Sequence, residues 1–303
     1  MKFAAIDIGS NAVRLLIGNV YESASGPIFK KADLVRVPLR LGEDAFLHKK
    51  ISEEKTAKLV LAMKAFRQLI DFYEITEYKA CATSAMREAT NAIDVIERVA
   101  HESGIAIEII DGKVEAQIIY SNHIAENLSA ESNYLYIDVG GGSTELTLFS
   151  KNQLIATRSF NVGTIRFLNN LVPKELWTEF KEWIKKETKD FQPITAIGSG
   201  GNINKIFKMS RKKQSRPMTF KRLEEMHELL DSYTLQERIE VLGLNTDRAD
   251  VIVPAAKIFI TVMKAADIKQ IYVPQIGMAD GLIHLLYENH VARNRKGLVF
   301  SGT

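Results

Sequence analysis

One turn, used twice, sets the plan of this chain. Ala5-Ile6-Asp7-Ile8-Gly9-Ser10-Asn11 and Tyr136-Ile137-Asp138-Val139-Gly140-Gly141-Gly142-Ser143-Thr144-Glu145 share one layout. An apolar run ends in a carboxylate, turns through Gly and Ser, and resumes as a second apolar run, Val13 to Ile17 or Leu146 to Phe149. The two aspartates stand 131 positions apart in a chain of 303 residues. Gly9 permits a tight turn and close approach of a ligand. The N–H groups of Gly9, Ser10 and Asn11 can then face a phosphate oxygen. An isolated Asp-Gly turn is an ordinary hairpin signal, but two at matching positions of two repeats ask for a shared task. Gly140-Gly141-Gly142 removes three side chains in a row at a cost in backbone entropy. A hairpin does not need three; an anion pressed against bare amides does. Asp7 and Asp138, where the incoming apolar runs end, are two carboxylates able to hold a hydrated cation, and Glu145 lies on the outgoing strand seven residues after Asp138.

The elements around the two turns follow the same order. The first half reads as strands over 3–8, 12–21 and 30–39, and a helix from Ser52 to about Tyr73 with Glu53 and Glu54 in its first turn. A strand over 77–83, a helix from Asn91 to Gly104, a strand over 105–110 and a helix over 112–128 complete it. The second half reads as strands over 134–139, 143–149 and 153–161, then a helix from Pro173 to about Asp190. A strand over 194–198 ends in Gly198-Ser199-Gly200-Gly201, followed by helices over 201–209, 219–231, 234–242 and 247–266. A strand over 269–273, a helix over 278–292 and a frayed tail after Asn294 close the chain. Two copies of βββαβαβα imply a duplication and an α/β fold with two mixed five-stranded sheets flanked by helices. The expected domains are 1–122 and 123–303, joined in a polar stretch near 121–132, and the C-terminal helix, about 278–294, has the option of packing back on the first.

Hydrophobic residues make up 46% and charged residues 25%, as in a soluble globular protein. No apolar run approaches the roughly 18 residues of a membrane span. A strand pattern begins within two residues of Met1, which argues against a signal peptide. Cys81 is the sole cysteine, which excludes an internal disulfide and suits the cytoplasm. A formal charge of +3 is too small to call for nucleic acid as partner, and the densest basic run is Arg211 to Arg216. His48, His101, His123, His227, His284 and His290 lack metal-ligand spacing, which argues against zinc.

Taken together, these residues resemble the exopolyphosphatase and guanosine pentaphosphate phosphohydrolase (Ppx/GppA) family of the actin-like ATPase superfamily. The resemblance runs through Asp7 to Asn11 with Arg14, Arg40-Leu41-Gly42, Ala82 to Arg87, Glu115-Ala116, Asp138 to Leu146, Gly163 to Arg166, Gly198 to Gly201 and Arg248-Ala249-Asp250. It implies two actin-like (ribonuclease H-like) domains with an interdomain cleft. It further implies Glu115 as catalytic base, Arg87 as a phosphate contact, and Asp7, Asp138 and Glu145 around water and Mg²⁺. Phosphate falls to Gly9, Ser10, Asn11, Gly140, Gly141, Gly142, Ser143, Thr144, Gly200 and Gly201, with Arg14, Arg40 and Arg166 in supporting places.

The chain departs from the family pattern twice. Gly200-Gly201-Asn202 stands where Gly-Gly-Thr is usual, and Met278-Ala279-Asp280-Gly281 where Arg-Glu-Gly is frequent, a cation lost. Long members carry further helical domains after this core, and the chain ends at Thr303, which leans toward short polyphosphate chains. The implied activity is Mg²⁺-dependent release of orthophosphate from the ends of inorganic polyphosphate by a cytoplasmic homodimer. The alternatives are hydrolysis of guanosine pentaphosphate and, in a different class, a catalytically weak actin-like module that binds nucleotide or polyphosphate. A sugar kinase would use an aspartate base on the first domain, and no aspartate there competes with Glu115.

Overall fold

Six of the seven residues of β1 (Lys2–Ile8) are buried, as expected of a strand enclosed on both faces. The computed structural model describes residues 1–120, 131–213 and 216–300. The chain divides into two units, Met1–Asn122 with Gly277–Thr303, and His123–Ile276.

In the first unit β1 lies between β2 (Val13–Ser23), which leads to β3 (Gly26–Val37), and the later strands. After β3 come α1 (Leu41–His48), α2 (Glu53–Phe72), β4 (Glu77–Ala82), α3 (Ser84–Glu88), α4 (Ala92–Ser103), β5 (Ile107–Ile109) and α5 (Gly112–Tyr120). The sheet order is β3-β2-β1-β4-β5, with β1, β2 and β3 antiparallel and β1, β4 and β5 parallel. Ser52 caps α2, its hydroxyl accepting from the Lys55 N–H at 3.3 Å, which satisfies one of the helix's orphan donors.

The second unit repeats the scheme. It contains β6 (Asn133–Val139), β7 (Thr144–Ser150), β8 (Gln153–Phe160), α6 (Thr164–Leu168), α7 (Lys174–Thr188), β9 (Ile194–Ser199), α8 (Gly201–Met209) and β10 (Met218–Thr219). These are followed by α9 (Phe220–Ser232), α10 (Leu235–Glu240), α11 (Thr246–Ala249), α12 (Ile252–Ala265) and β11 (Gln270–Tyr272). The order β10-β11-β9-β6-β7-β8 gives six strands, where the repeat predicts five. The extra one, β10, has two residues and pairs antiparallel with β11. It is too short to show an alternation. Leu135, Ile137, Leu146 and Leu148 from the sheet pack in one buried core with Phe180, Phe207 and Phe259 from the helices.

The last helix, α13 (Met278–Phe300), belongs to the first unit and packs on β1, β2, β4 and α5. It runs beyond its expected end near residue 292. Phe3 meets Tyr287 and His290 edge-on, and Phe29 stacks on His284 with centroids 3.6 Å apart. Glu77 accepts from His290 at 2.6 Å and pairs with Arg293. Asp280, the departure from the family pattern, pairs with Lys31 at 2.7 Å and accepts from the Gly277 N–H at 2.9 Å. It anchors the start of α13.

Three short helices, α1, α3 and α6, were not anticipated; at five to eight residues they show little periodicity. The expected helix over 112–128 is described to Tyr120. Its remainder, most of the expected junction at 121–132, and Gln214 and Ser215 of the basic run lie outside the described residues. Among the described residues no helix is long and apolar enough to cross a membrane.

Gly281 is where α13 crosses α5, and an added Cβ would collide with the Ile118 carbonyl. Gly281→Ala is expected to cost about 1–3 kcal/mol in urea unfolding. Gly277→Ala, whose Cβ would meet nothing within 4 Å, is expected to stay within about 0.5 kcal/mol of the parent.

Candidate active site

The first turn is closed by its own backbone and held from behind by the segment after β3. The Gly9 N–H donates to Ala12 O at 3.2 Å. The Ser10 carbonyl accepts from Gly42 N–H at 2.8 Å, and the Asn11 carbonyl from Arg40 N–H at 2.9 Å. Arg40 itself sits at φ 52°, a left-handed kink that starts α1. With the carbonyls drawn back, the Ser10 N–H has no backbone acceptor among the described residues. Ser10 Oγ and Ser84 Oγ lie 2.9 Å apart and buried, which ties this turn to the loop after β4. Asp7 is buried and pairs with Arg14 at 2.8 Å, its cross-strand partner in the β1–β2 register.

The proposed base and the proposed phosphate-binding arginine are neighbours. Arg87, at the end of α3, donates from Nη1 to the Ile110 carbonyl at 2.6 Å and lies 3.5 Å from Glu115 Oε2. Glu115 occupies the first turn of α5, which Asp111 caps by accepting from the Val114 N–H at 2.8 Å. The Glu115 side chain is 12% exposed and that of Arg87 is 23% exposed, enough for both to reach a ligand. Cys81 pairs in register with Asp7. Burial, above all, pushes its thiol up to about 12, and the charges of Asp7 and Glu115 add to the shift. Both carboxylates therefore lie within electrostatic reach of one buried sulfur. Asp7, Arg87 and Glu115 gather at the carboxyl-terminal edge of this sheet.

The second turn uses the same device with more bonds. The Gly140 N–H closes it on Ser143 O at 2.9 Å. The Gly140 carbonyl accepts from Thr164 N–H at 3.0 Å, the Gly141 carbonyl from Ile165 N–H at 2.9 Å, and the Gly142 carbonyl from Arg166 Nε at 2.7 Å. Arg166 is 6% exposed. It holds the turn from behind, a supporting place as expected. The N–H groups of Gly141, Gly142 and Ser143 have no backbone acceptor among the described residues. Three successive amides are thus left without a backbone acceptor, the kind of run from which an anion-binding nest can be built. Gly163 must be glycine for this docking, since an added Cβ would collide with the backbone of Gly141 and Gly142. Thr144 is fully buried and its hydroxyl donates to the Val162 carbonyl, which commits its proton to holding the segment.

Asp138 and Glu145 are directly opposite in the β6–β7 register. Like charges so placed repel. Glu145 is buried, and its Oε1 accepts from Ser159 Oγ at 2.8 Å. In the first unit the matching pair is Asp7 with Arg14. The repeat thus places a guanidinium against one aspartate and a second carboxylate against the other. Gly200 adopts φ 105°, and an added Cβ would lie 3.2 Å from Asp138 Oδ1, so the third glycine turn is seated against this aspartate. Mg²⁺ binds through one or two carboxylates, with water and phosphate oxygens completing its shell. Asp138 and Glu145 fit that donor set, whereas Asp7 is neutralised by Arg14.

A model of the Ppx/GppA phosphatase family matches residues 23–290. The chain belongs to the Ppx/GppA phosphatase family. Its members are phosphoanhydride hydrolases. This Ppx/GppA protein is 33% identical over 275 residues to a bifunctional 3-dehydroquinate synthase/phosphatase of Fusobacterium nucleatum, covering 82% of the chain and 41% of that protein. It is 24% identical to exopolyphosphatase 1 of Mycobacterium leprae, covering 93% of the chain and 88% of the relative. It is also 24% identical to a guanosine-5'-triphosphate,3'-diphosphate pyrophosphatase of Aeromonas hydrophila, covering 95% and 60%. An exopolyphosphatase structure from Cytophaga hutchinsonii superposes with a TM-score of 0.82 at 22% identity, covering 95% of this chain and 98% of that one. The Aquifex aeolicus Ppx/GppA structure gives 0.75 at 25% identity, covering 96% and 99%. The two-sheet, actin-like fold of the Ppx/GppA proteins is therefore this chain's fold.

Two outcomes test this site. Gly163→Ala is expected to shift the glycine turn and lower kcat/KM for phosphate release about 100-fold with an unchanged far-UV circular dichroism spectrum; full activity would contradict the docking role. Cys81, with its thiol held protonated by burial, is expected to resist iodoacetamide at pH 8 in the native protein and to react once unfolded, as read by mass spectrometry.

Proposed function

We propose that the protein hydrolyses the terminal phosphoanhydride bond of inorganic polyphosphate and releases orthophosphate. The observation that carries this reading is the placement of Arg87 3.5 Å from Glu115. A carboxylate that can take a proton stands beside a guanidinium that can grip phosphate oxygens. Glu115 orients a water and accepts its proton as the oxygen attacks the terminal phosphorus. Arg87 keeps further N–H groups for the non-bridging oxygens, which a guanidinium binds in pairs. In the first unit the open amide of Ser10, and in the second those of Gly141, Gly142 and Ser143, are each suited to hold phosphate oxygens without side-chain motion. Asp138 and Glu145 would hold Mg²⁺, which when bound neutralises charge on the phosphates. The bond from phosphorus to the bridging oxygen breaks, and the shortened chain leaves as an oxyanion.

The name of the Mycobacterium leprae relative supports polyphosphate as substrate. The Aeromonas hydrophila relative supports a second reading, guanosine pentaphosphate, which also ends in a phosphoanhydride. A reducing compartment suits the buried Cys81, and we assign the protein to the cytoplasm.

A phosphate-release assay with Mg²⁺, comparing short and long polyphosphate, guanosine pentaphosphate and ATP, separates the two substrates. Polyphosphate is expected to be turned over fastest, and faster release from guanosine pentaphosphate would replace the first reading with the second. Glu115→Gln is expected to lose about 10²–10⁴ in kcat, and a wild-type rate would remove Glu115 as base.

A further inference from the structure

The second unit carries a groove of about 370 Å³ that its carboxylate pair does not line, walled by α6, α7 and α12. Its charge comes from Lys174 and Lys181 on α7 and Lys257 on α12, and no acidic residue lines it. None of the three lysines makes an ion pair among the described residues, although many other lysines of the chain do. Three uncompensated cations around one concavity repel one another and are relieved by an anion.

The spacing narrows the choice of anion. Lys174, Trp177 and Lys181 lie on one stripe of α7, with the two lysines seven residues, about 10 Å, apart along the axis. A run of linked phosphates offers each of these lysines, and Lys257 across the groove, an oxygen of its own, whereas a single phosphate must draw all three ammonium groups together against their repulsion. The two hydroxyls in the groove narrow it further. Thr178 donates to Lys174 O at 3.1 Å and Thr261 to Lys257 O at 2.8 Å, so the lysines are left as the donors to a ligand. Trp177 and Phe167, edge-to-face with centroids 5.8 Å apart, supply apolar wall, and Lys181 Nζ sits 6.0 Å from the Trp177 ring centre.

The groove is also joined to the glycine turn. Phe167 lines it, while Thr164, Ile165 and Arg166 of the same short helix α6 hold the carbonyls of Gly140, Gly141 and Gly142.

We propose that this groove is a second anion site that binds linked phosphate groups, lined by none of the residues assigned to hydrolysis. The same chemistry is offered by a distal stretch of inorganic polyphosphate and by the phosphate tail of a nucleotide. The proposal goes beyond the reaction assigned above and does not require it.

Trp177 is one of two tryptophans in the chain, so Trp183→Phe leaves a single reporter. In Trp183→Phe/Glu115→Gln protein, which spares the probe from hydrolysis, fluorescence excited at 295 nm is followed against orthophosphate, inorganic triphosphate, long polyphosphate and GTP. Triphosphate and long polyphosphate are expected to give a saturable change that weakens with salt, and orthophosphate is expected to bind at least tenfold more weakly. Lys181→Gln/Lys257→Gln, added to that background, is expected to raise the apparent Kd at least tenfold. The same two lysine changes with Glu115 intact are expected to leave kcat on triphosphate unchanged, which separates the groove from the catalytic reading. GTP binding like triphosphate would confirm that the phosphates are what is read. The proposal is overturned by the absence of a saturable change, by a change that survives the lysine substitutions, by equal binding of orthophosphate, or by binding of GTP alone.

Discussion

Each glycine turn depends on how its carbonyl groups are disposed of. A tight turn exposes both its N–H and its C=O groups, and an anion tolerates only the former. In the first unit Arg40 and Gly42 take up the carbonyls of Asn11 and Ser10. In the second, Thr164, Ile165 and Arg166 take up those of Gly140, Gly141 and Gly142. Both clamps come from the segment that follows the third strand of the repeat. The duplication has therefore preserved an arrangement of backbone dipoles as well as a strand order. Binding by amides already held in place requires little reorganisation when charge develops on a phosphate.

On this common frame the side chains have diverged in sign. The position opposite the strand-end aspartate is Arg14 in one unit and Glu145 in the other. The first unit thereby pairs its strand-end carboxylate with a guanidinium, and Glu115 stands beside Arg87. The second keeps two facing carboxylates, the donor set for a hard cation. A repeated fold thus yields unlike halves: one with a carboxylate beside a guanidinium, the other with two carboxylates facing across adjacent strands.

Much of this was legible in the sequence because it is written in short-range patterns. Asp-x-Gly turns, alternating apolar runs and helix caps at Ser52 and Gly104 are local signals. The order of elements followed from them, and the repeat confirmed the order against itself. What escaped is what only tertiary contact creates. The Ser10–Ser84 and Glu145–Ser159 hydrogen bonds join residues 74 and 14 positions apart, and neither serine pairing belongs to a periodic pattern. Strand β10 and the helices α1, α3 and α6 are too short for periodicity to mark. Thr144, read as a phosphate ligand from its place in the Gly-Gly-Gly-Ser-Thr-Glu run, spends its hydroxyl on Val162. Asp280, read as a lost cation, proves to be an anchor for α13 through Lys31 and Gly277.

The claim that outward amides are the phosphate receptor can be examined amide by amide. In a ¹⁵N-labelled Glu115→Gln protein, TROSY spectra recorded with Mg²⁺ and a non-hydrolysable triphosphate report each backbone N–H separately. The account predicts large downfield shifts at Ser10, Gly141, Gly142 and Ser143, and small ones at Gly9 and Gly140, whose N–H groups already close the turns. Saturating ligand that leaves the first four unmoved would contradict it.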